Sequence, residues 1–252
     1  MPAVTGVMVL PVNGMPRIKP GDDLNRIIAA ALKRNRLRLL DHDIVVVTQK
    51  IVSKSEGRLA RFEEVKPSSK AKALAQELGK DARLVELVLQ ESRRVVRKGH
   101  GVLITETRHG FVCANSGIDL SNVESGYAVL LPEDPDASAR RIRKGLEKVS
   151  KKKLAVVVTD TFGRPWREGQ TDVAIGCSGI VPTEKLAGII DPFGCVLRVT
   201  EPAIVDEVAA AAELVMQKLS LVPVAIVRGV AYKRGEGGVR SIVRDGSQDL
   251  FR

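Results

Sequence analysis

A chain of 252 residues can bury a large core in one or two domains, and 44% hydrophobic residues exclude a mainly disordered polymer. The formal net charge of +10 favours anionic partners, but 40 basic residues are interleaved with 30 acidic ones and aromatics are only 3%, which argues against a stacking nucleic-acid surface. Three scattered cysteines (Cys113, Cys177, Cys195) and three histidines (His42, His100, His109) give no disulfide framework or zinc spacing; without a signal peptide or an apolar run of ~18 residues, a reducing cytoplasm is expected and a membrane is not.

Residues 7–12 read as a first strand, turned by Asn13-Gly14-Met15-Pro16. The Asn-Gly pair is an ordinary turn signal, and its other reading is a backbone clamp on a nucleotide. Asp22 or Asp23 then caps a helix to about residue 35, with Leu24, Ile27, Ile28 and Ala31 on one face. Residues 43–48 form a buried strand that runs into a polar loop, 49–57. There Lys54 can neutralise a phosphate and Ser53 and Ser55 can donate to one, although no GxxxxGK[ST] loop is present. A solvated lysine at a turn is the plainer alternative.

Helices are expected over 67–79, capped by Ser68 or Ser69, and over about 81–97. The second ends in basic residues that suit a helix C-terminus. Residues 102–106 and 111–114 read as a hairpin whose second strand exits into Asn115–Asn122, rich in acid and amide groups. A strand over 127–131 and a helix at about 137–149 follow.

Residues 154–158 (LAVVV) are a buried strand that stops at Thr159-Asp160-Thr161. A carboxylate between two hydroxyls suits a hard divalent cation, and Asp119 and Asp160 are the pair expected on one metal. Gly163 and Pro165 then call for an irregular loop carrying Arg164, Trp166 (the only tryptophan), Arg167 and Glu168. The arginines suit carboxylate or phosphate, and Trp166 suits a flat ring or a packing plug. Beyond it, strands are expected over 171–176, 194–200 and 223–227, and a long helix over 201–219. Residues 233–238 (KRGEGG) read as mobile, and 241–243 as a short strand or turn. Hairpins interrupt the alternation of strands and helices and no GxGxxG follows the first strand, so the fold class is α+β rather than a doubly wound sheet. No linker divides residues 1–252.

Read together, LPVNGMPRIKPGDDL, VVVTQKIVSKSEGR, CANSGIDLSNV, LLPEDPDASARRIR and VVVTDTFGRPWREGQTDVAIGCSG resemble, in order and spacing, the coenzyme F420-0:L-glutamate ligase (γ-glutamyl ligase) family. The resemblance spans at least residues 7–230. It implies a GTP-dependent amide ligase that adds L-glutamate to the lactyl carboxylate of coenzyme F420-0 and then extends a γ-linked tail. It also implies an α+β fold in two intertwined lobes, a homodimer, two magnesium or manganese ions per site, and potassium. Residue by residue, Asn13, Gly14, Met15 and Pro16, then Gln49 and Lys50, then Lys54 and Asn122 fall on guanine-nucleotide contacts. Asp119 and Asp160 fall on ligands of a first metal and Thr161 on a second. Gln217 aligns with a nucleotide contact and second-metal ligand, but the family's glycine-rich turn after the methionine is replaced by Gln217-Lys218-Leu219-Ser220-Leu221. Lys54, Arg164 and Arg167 are the expected catalytic and substrate-gripping side chains, with Glu168 a candidate proton acceptor. The other reading is a metal-dependent ligase or phosphohydrolase acting on a different acidic, folate-like substrate.

Overall fold

The computed structural model describes residues 6–250. The first half of the chain forms β1 (Met8–Pro11), α1 (Leu24–Arg34), β2 (Ile44–Thr48), α2 (Gln49–Ser55), β3 (Leu59–Arg61), α3 (Ser69–Leu78), α4 (Ala82–Gln90), β4 (Ser92–Gly99), β5 (Val102–Thr107) and β6 (Val112–Ala114). The second half forms β7 (Tyr127–Val129), α5 (Pro135–Ser150), β8 (Ala155–Arg164), β9 (Arg167–Ser178), α6 (Ile204–Met216) and β10 (Val224–Arg228). The architecture is mixed α+β.

The main sheet has the order β1-β10-β2-β8-β9. β10 is antiparallel to both β1 and β2, β2 is parallel to β8, and β8 is antiparallel to β9. Ile44, Val45, Val46 and Val47 are all buried, as a strand covered on both faces requires. Burying each such side chain contributes about 1.5–3 kcal/mol. α5 lies against β8 and β9, and α6 against β9, β10 and β1.

The connection from β2 to its parallel neighbour β8 is itself a small folded region. It contains the two-stranded sheet β3-β7 and the three-stranded sheet β4-β5-β6. Its own cluster of buried residues, Ala71, Ala75, Val85, Val88 and Leu103, is separate from the main core.

Several elements depart from the sequence reading. The helix expected over 81–97 ends at Gln90, and 92–99 is β4, paired with β5. Val95 and the alternating charges there meet β5 across a hairpin, and Arg94 donates to Glu106 at 2.9 Å. Tertiary pairing overrides the local helical pattern. Residues 49–55, read as loop, are the helix α2. The irregular loop expected after Asp160 is a long hairpin, β8–β9, closed at Pro165-Trp166, with Trp166 in the left-handed region at φ 65°. The strand expected over 171–176 is part of β9.

Residues 194–200 form no named strand. They fold back on 184–191 as an irregular arm, through bonds such as Gly188 N to Leu197 O at 2.8 Å. α6 is shorter than 201–219 because Gln217 leaves the helical region with φ 40° and ψ 152°. The KRGEGG segment is held in place: Glu236 pairs with Arg143 at 2.6 Å, and Gly237 O accepts from Cys177 Sγ at 3.4 Å. Residues 239–242 are a short 3-10 helix.

Gly176 marks the tightest point between sheet and helix. A Cβ there would lie 2.4 Å from the Pro135 backbone at the start of α5. Gly176→Ala should therefore destabilise the protein by about 2 kcal/mol or more, lowering the melting midpoint by about 4–8 °C. An unchanged melt would contradict this seating of α5 on β9.

Candidate active site

β1, β2 and β8 run in one direction, so their C-terminal ends share one edge of the main sheet. In open α/β sheets that edge is where ligands bind. Asn13–Pro16 leave β1 at this edge. Asn35 and Arg34 at the end of α1 hold them, through Asn35 Nδ2 to Asn13 O and Arg34 to Gly14 O, both 2.8 Å. α2 follows β2 directly. The 217–223 segment enters β10 from the same edge, and Pro223 O accepts from Thr48 N at 3.0 Å. Thr48 and Thr159 form the last rung between β2 and β8, so Asp160 is the first residue beyond it.

α2 places Lys50 and Lys54 four residues apart, on one helical face. Both reach the 119–122 loop. Lys50 Nζ lies 2.7 Å from Asp119 Oδ2 and donates to Ser121 Oγ at 2.8 Å. Lys54 Nζ donates to Asn122 O at 2.5 Å. Asp119 is fixed from the other side as well. Its backbone bridges Val129 of β7, and its Oδ1 accepts from Ser121 N at 2.6 Å. Burial pushes the Asp119 carboxyl up, but Lys50 and the Ser121 bonds outweigh it and hold it below the usual carboxylate range. Lys54 is pushed down, first by burial and then by Lys50 and Arg17. Arg17, Lys50 and Lys54 thus form a cationic group at this edge, set against Asp119 and Glu124.

Asp160 has the opposite character. Burial, with the nearby charges of Asp172 and Asp119, pushes its carboxyl up to about 7 against the pull of the Thr161 amide and Lys218. Strand alternation separates it from Thr161. Asp160 and Phe162 share the face that meets Phe111 and Cys113; the two phenyl rings sit 6.3 Å apart edge to face, and burial together with the Asp160 charge raises the Cys113 thiol to about 12. Thr161 lies opposite Asp172 in the hairpin and donates to its Oδ1 at 2.6 Å. Glu213 of α6 is raised by burial and by Asp172. Among the described residues no three His, Cys, Asp or Glu side chains form a closed metal cage. The donors present are hard oxygens from carboxylates and hydroxyls, and Asp160 is short of positive charge. That chemistry fits magnesium or manganese with several positions left for phosphate oxygens or water.

The family profile described as F420-0:Gamma-glutamyl ligase matches residues 14–229. The chain belongs to that family. It is 46% identical to a coenzyme F420:L-glutamate ligase of Methanothermobacter thermautotrophicus, over 98% of this chain and 99% of the relative. It is 42% identical to the protein of that name from Methanopyrus kandleri, covering 98% and 99%, and 40% identical to that from Methanocaldococcus jannaschii, covering 94% of each. The chain is therefore a ligase.

In this F420-0:γ-glutamyl ligase fold, Asn13–Pro16, Lys50, Lys54, Asp119, Asn122, Asp160, Thr161 and Gln217 gather around one sheet edge. Gln49 starts α2 at the same edge, but its side chain is buried and its Oε1 accepts from Ser53 at 2.8 Å. Arg164, Trp166, Arg167 and Glu168 do not join the group. They stand at the exposed tip of the β8–β9 hairpin, where Arg164 donates to Glu168 O at 2.5 Å and Trp166 is 83% exposed. The convergence of ring, anion and metal sites expected of this stretch is thus split between the root and the tip of one hairpin.

Sequence reasoning missed Arg17, Asp172, Glu213 and Lys218. Arg17 directly follows the Asn13–Pro16 turn, which was signal enough. Asp172 becomes visible only once residues 167–178 are folded back on β8.

The raised Asp160 carboxyl has a thermodynamic consequence. The native state holds this proton more tightly than the unfolded chain, so metal-free protein loses stability as pH rises from about 4 to about 7. Asp160→Asn removes that loss. Its melting midpoint in chelator should exceed the wild type's by roughly 3–8 °C at pH 8 and by less at pH 5. No gain at pH 8 would refute an uncompensated charge at Asp160.

Proposed function

We propose that this ligase joins L-glutamate to the lactyl carboxylate of coenzyme F420-0 at the expense of GTP, through an acyl phosphate, and repeats the step to build a γ-linked tail. The observation that carries this reading is the meeting of two opposite charge groups at one sheet edge within a family ligase. Arg17, Lys50 and Lys54 lie on one side, and Asp119, Asp160 and Asp172 on the other. A nucleoside triphosphate with its divalent cations needs both.

A carboxylate does not react with an amine in water, so the acid must first be activated. The lactyl carboxylate oxygen attacks the γ-phosphorus, the bond to the β-phosphate oxygen breaks, and GDP leaves. The glutamate amine, having lost its proton, attacks the acyl carbon, and inorganic phosphate departs with the former carboxylate oxygen. Lys50 and Lys54 hold phosphate oxygens as charge moves toward the leaving group. Asn13–Pro16, Gln49, Asn122 and the 217 region frame the nucleotide, with Gln217 a further second-metal ligand. Asp119, Asp160 and Thr161 hold two magnesium or manganese ions, which supply charge neutralisation along the phosphates. Potassium assists.

Arg164 and Arg167 grip an acidic tail or the incoming glutamate, and Trp166 stacks on the deazaflavin ring. The amine loses its proton to water, since Glu168 stands at the hairpin tip away from the Asp160 root. The enzyme acts in the cytoplasm as an intertwined homodimer. In support of that assembly, the 184–200 arm exposes Ile189, Ile190, Phe193, Val196 and Val199, and Trp166 is exposed at the hairpin tip. No helix of the described residues is long and apolar enough to cross a membrane.

Purified protein incubated with F420-0, glutamate, GTP and manganese should yield product heavier by whole glutamate residues in mass spectrometry. Asp160→Ala and Lys54→Ala should reduce turnover by about 100-fold or more, as loss of a charge that stabilises the transition state does. GTP hydrolysis independent of glutamate and F420-0 would instead favour a phosphohydrolase or a different acidic acceptor.

A further inference from the structure

Asp172 has no role in the reading above beyond its charge, yet its surroundings are unusual. It is 2% exposed, and its hydrogen-bond partner is the Thr161 hydroxyl, 2.6 Å away. No lysine or arginine forms an ion pair with it among the described residues. Its neighbours Asp160 and Glu213 carry the same charge. A buried carboxylate in that company is costly unless a cation completes its surroundings. Two residues back on β8, the Thr159 hydroxyl is fully buried and has no partner.

We propose that Asp172 is a positioning residue for cation binding at Thr161: its carboxylate takes the hydroxyl proton and leaves the oxygen lone pairs facing a hard divalent cation. A threonine hydroxyl has one hydrogen and two lone pairs, and it rotates freely unless its hydrogen is committed. A rotor that turns its hydrogen toward a cation repels it. The cross-strand register sets Thr161 opposite Asp172, so the bond forms without distortion of either strand. This inference rests on the metal reading above and extends it to a residue outside the ligand set.

The test is Mn2+ titration of the full-length protein, with free Mn2+ followed by electron paramagnetic resonance and no nucleotide present. Asp172→Ala should bind Mn2+ about 10–100-fold more weakly than wild type, the usual effect of losing a partner that orients a metal ligand. Asp172→Asn keeps an acceptor for the hydroxyl and should lose less. The double variant Thr161→Ala/Asp172→Ala should bind no more weakly than Thr161→Ala alone, since the two act as one unit. A role confined to pinning β8 to β9 would lower the melting midpoint and leave Mn2+ affinity unchanged; that result overturns the inference. So does a double variant whose losses add. Should Asp172→Ala fail to fold, Asp172→Leu, which fills the same space but offers the hydroxyl no acceptor, decides, and wild-type affinity there is equally fatal. A wild type that binds no Mn2+ removes the metal reading and this inference with it, whereas a binding wild type with an indifferent Asp172 removes this inference alone.

Discussion

β8 pairs with β2 only as far as Thr159 and then continues with β9 as its sole neighbour. The consequence is a carboxylate, Asp160, placed where the sheet ends but the protein does not. The backbone hydrogen bonds of the hairpin hold it there, so it cannot swing out to water as a loop residue would. Its charge must be met where it stands. The parallel run of β1 and β2 brings two further chain exits to the same edge, and α2 begins without a connecting loop. Positions on the chain that differ by more than two hundred residues, from Asn13 to Gln217, are neighbours for this one reason.

Charge is divided across that edge rather than mixed. Lys50 is the point of contact between the two groups, since it pairs with Asp119 at 2.7 Å while standing beside Lys54. This ion pair keeps Asp119 ionised and pins the 119–122 loop to α2. Under the metal reading proposed above, a cation at Asp119 would compete with Lys50 and free it for phosphate. Pairing the groups with each other in the free protein lowers the cost of keeping four carboxylates and three cations close together. Asp160 and Asp172 form no such ion pair among the described residues; the Thr161 amide and Lys218 offset the burial of Asp160 only in part, and Asp172 has the Thr161 hydroxyl.

Much of this was legible in the sequence. The strands at 44–48 and 155–158 announce themselves as β-branched runs, Ser68 and Gly79 bracket α3, and the helix read at about 137–149 is α5, which starts two residues earlier at Pro135 under the Asp134 cap. The family resemblance rested on strand exits; those at 13–16, 49–54, 119–122 and 160–161 share the sheet edge, and 164–168 stand away at the hairpin tip. Less legible was anything decided by pairing at a distance. Residues 92–99 carry a helical charge pattern, yet they become β4 because β5 offers a partner across Gly99–Val102. The TFGRPWREG stretch looks like a loop because glycine and proline interrupt it. Only the register with residues 167–172 shows that it is a strand pair with a two-residue turn. That misreading also hid Asp172, whose role exists only opposite Thr161.

The hairpin also sets the scale of what can bind. Asp160 and Arg164 are four residues apart on an extended strand, roughly 13 Å at about 3.3 Å per residue. No small anion spans that distance. A ligand touching both the carboxylate root and the arginine tip of one hairpin would have to be long, with a phosphate or carboxylate near one end and a second acidic group or flat ring toward the other. An acceptor with a lengthening acidic tail has that form. Alternatively, two hairpins from two copies bring a tip to a neighbouring root, and the bare apolar side chains of the 184–200 arm suit such a neighbour. Both arrangements follow from a hairpin that extends beyond the sheet that anchors it, and they differ in whether Arg164 acts on the site of its own chain.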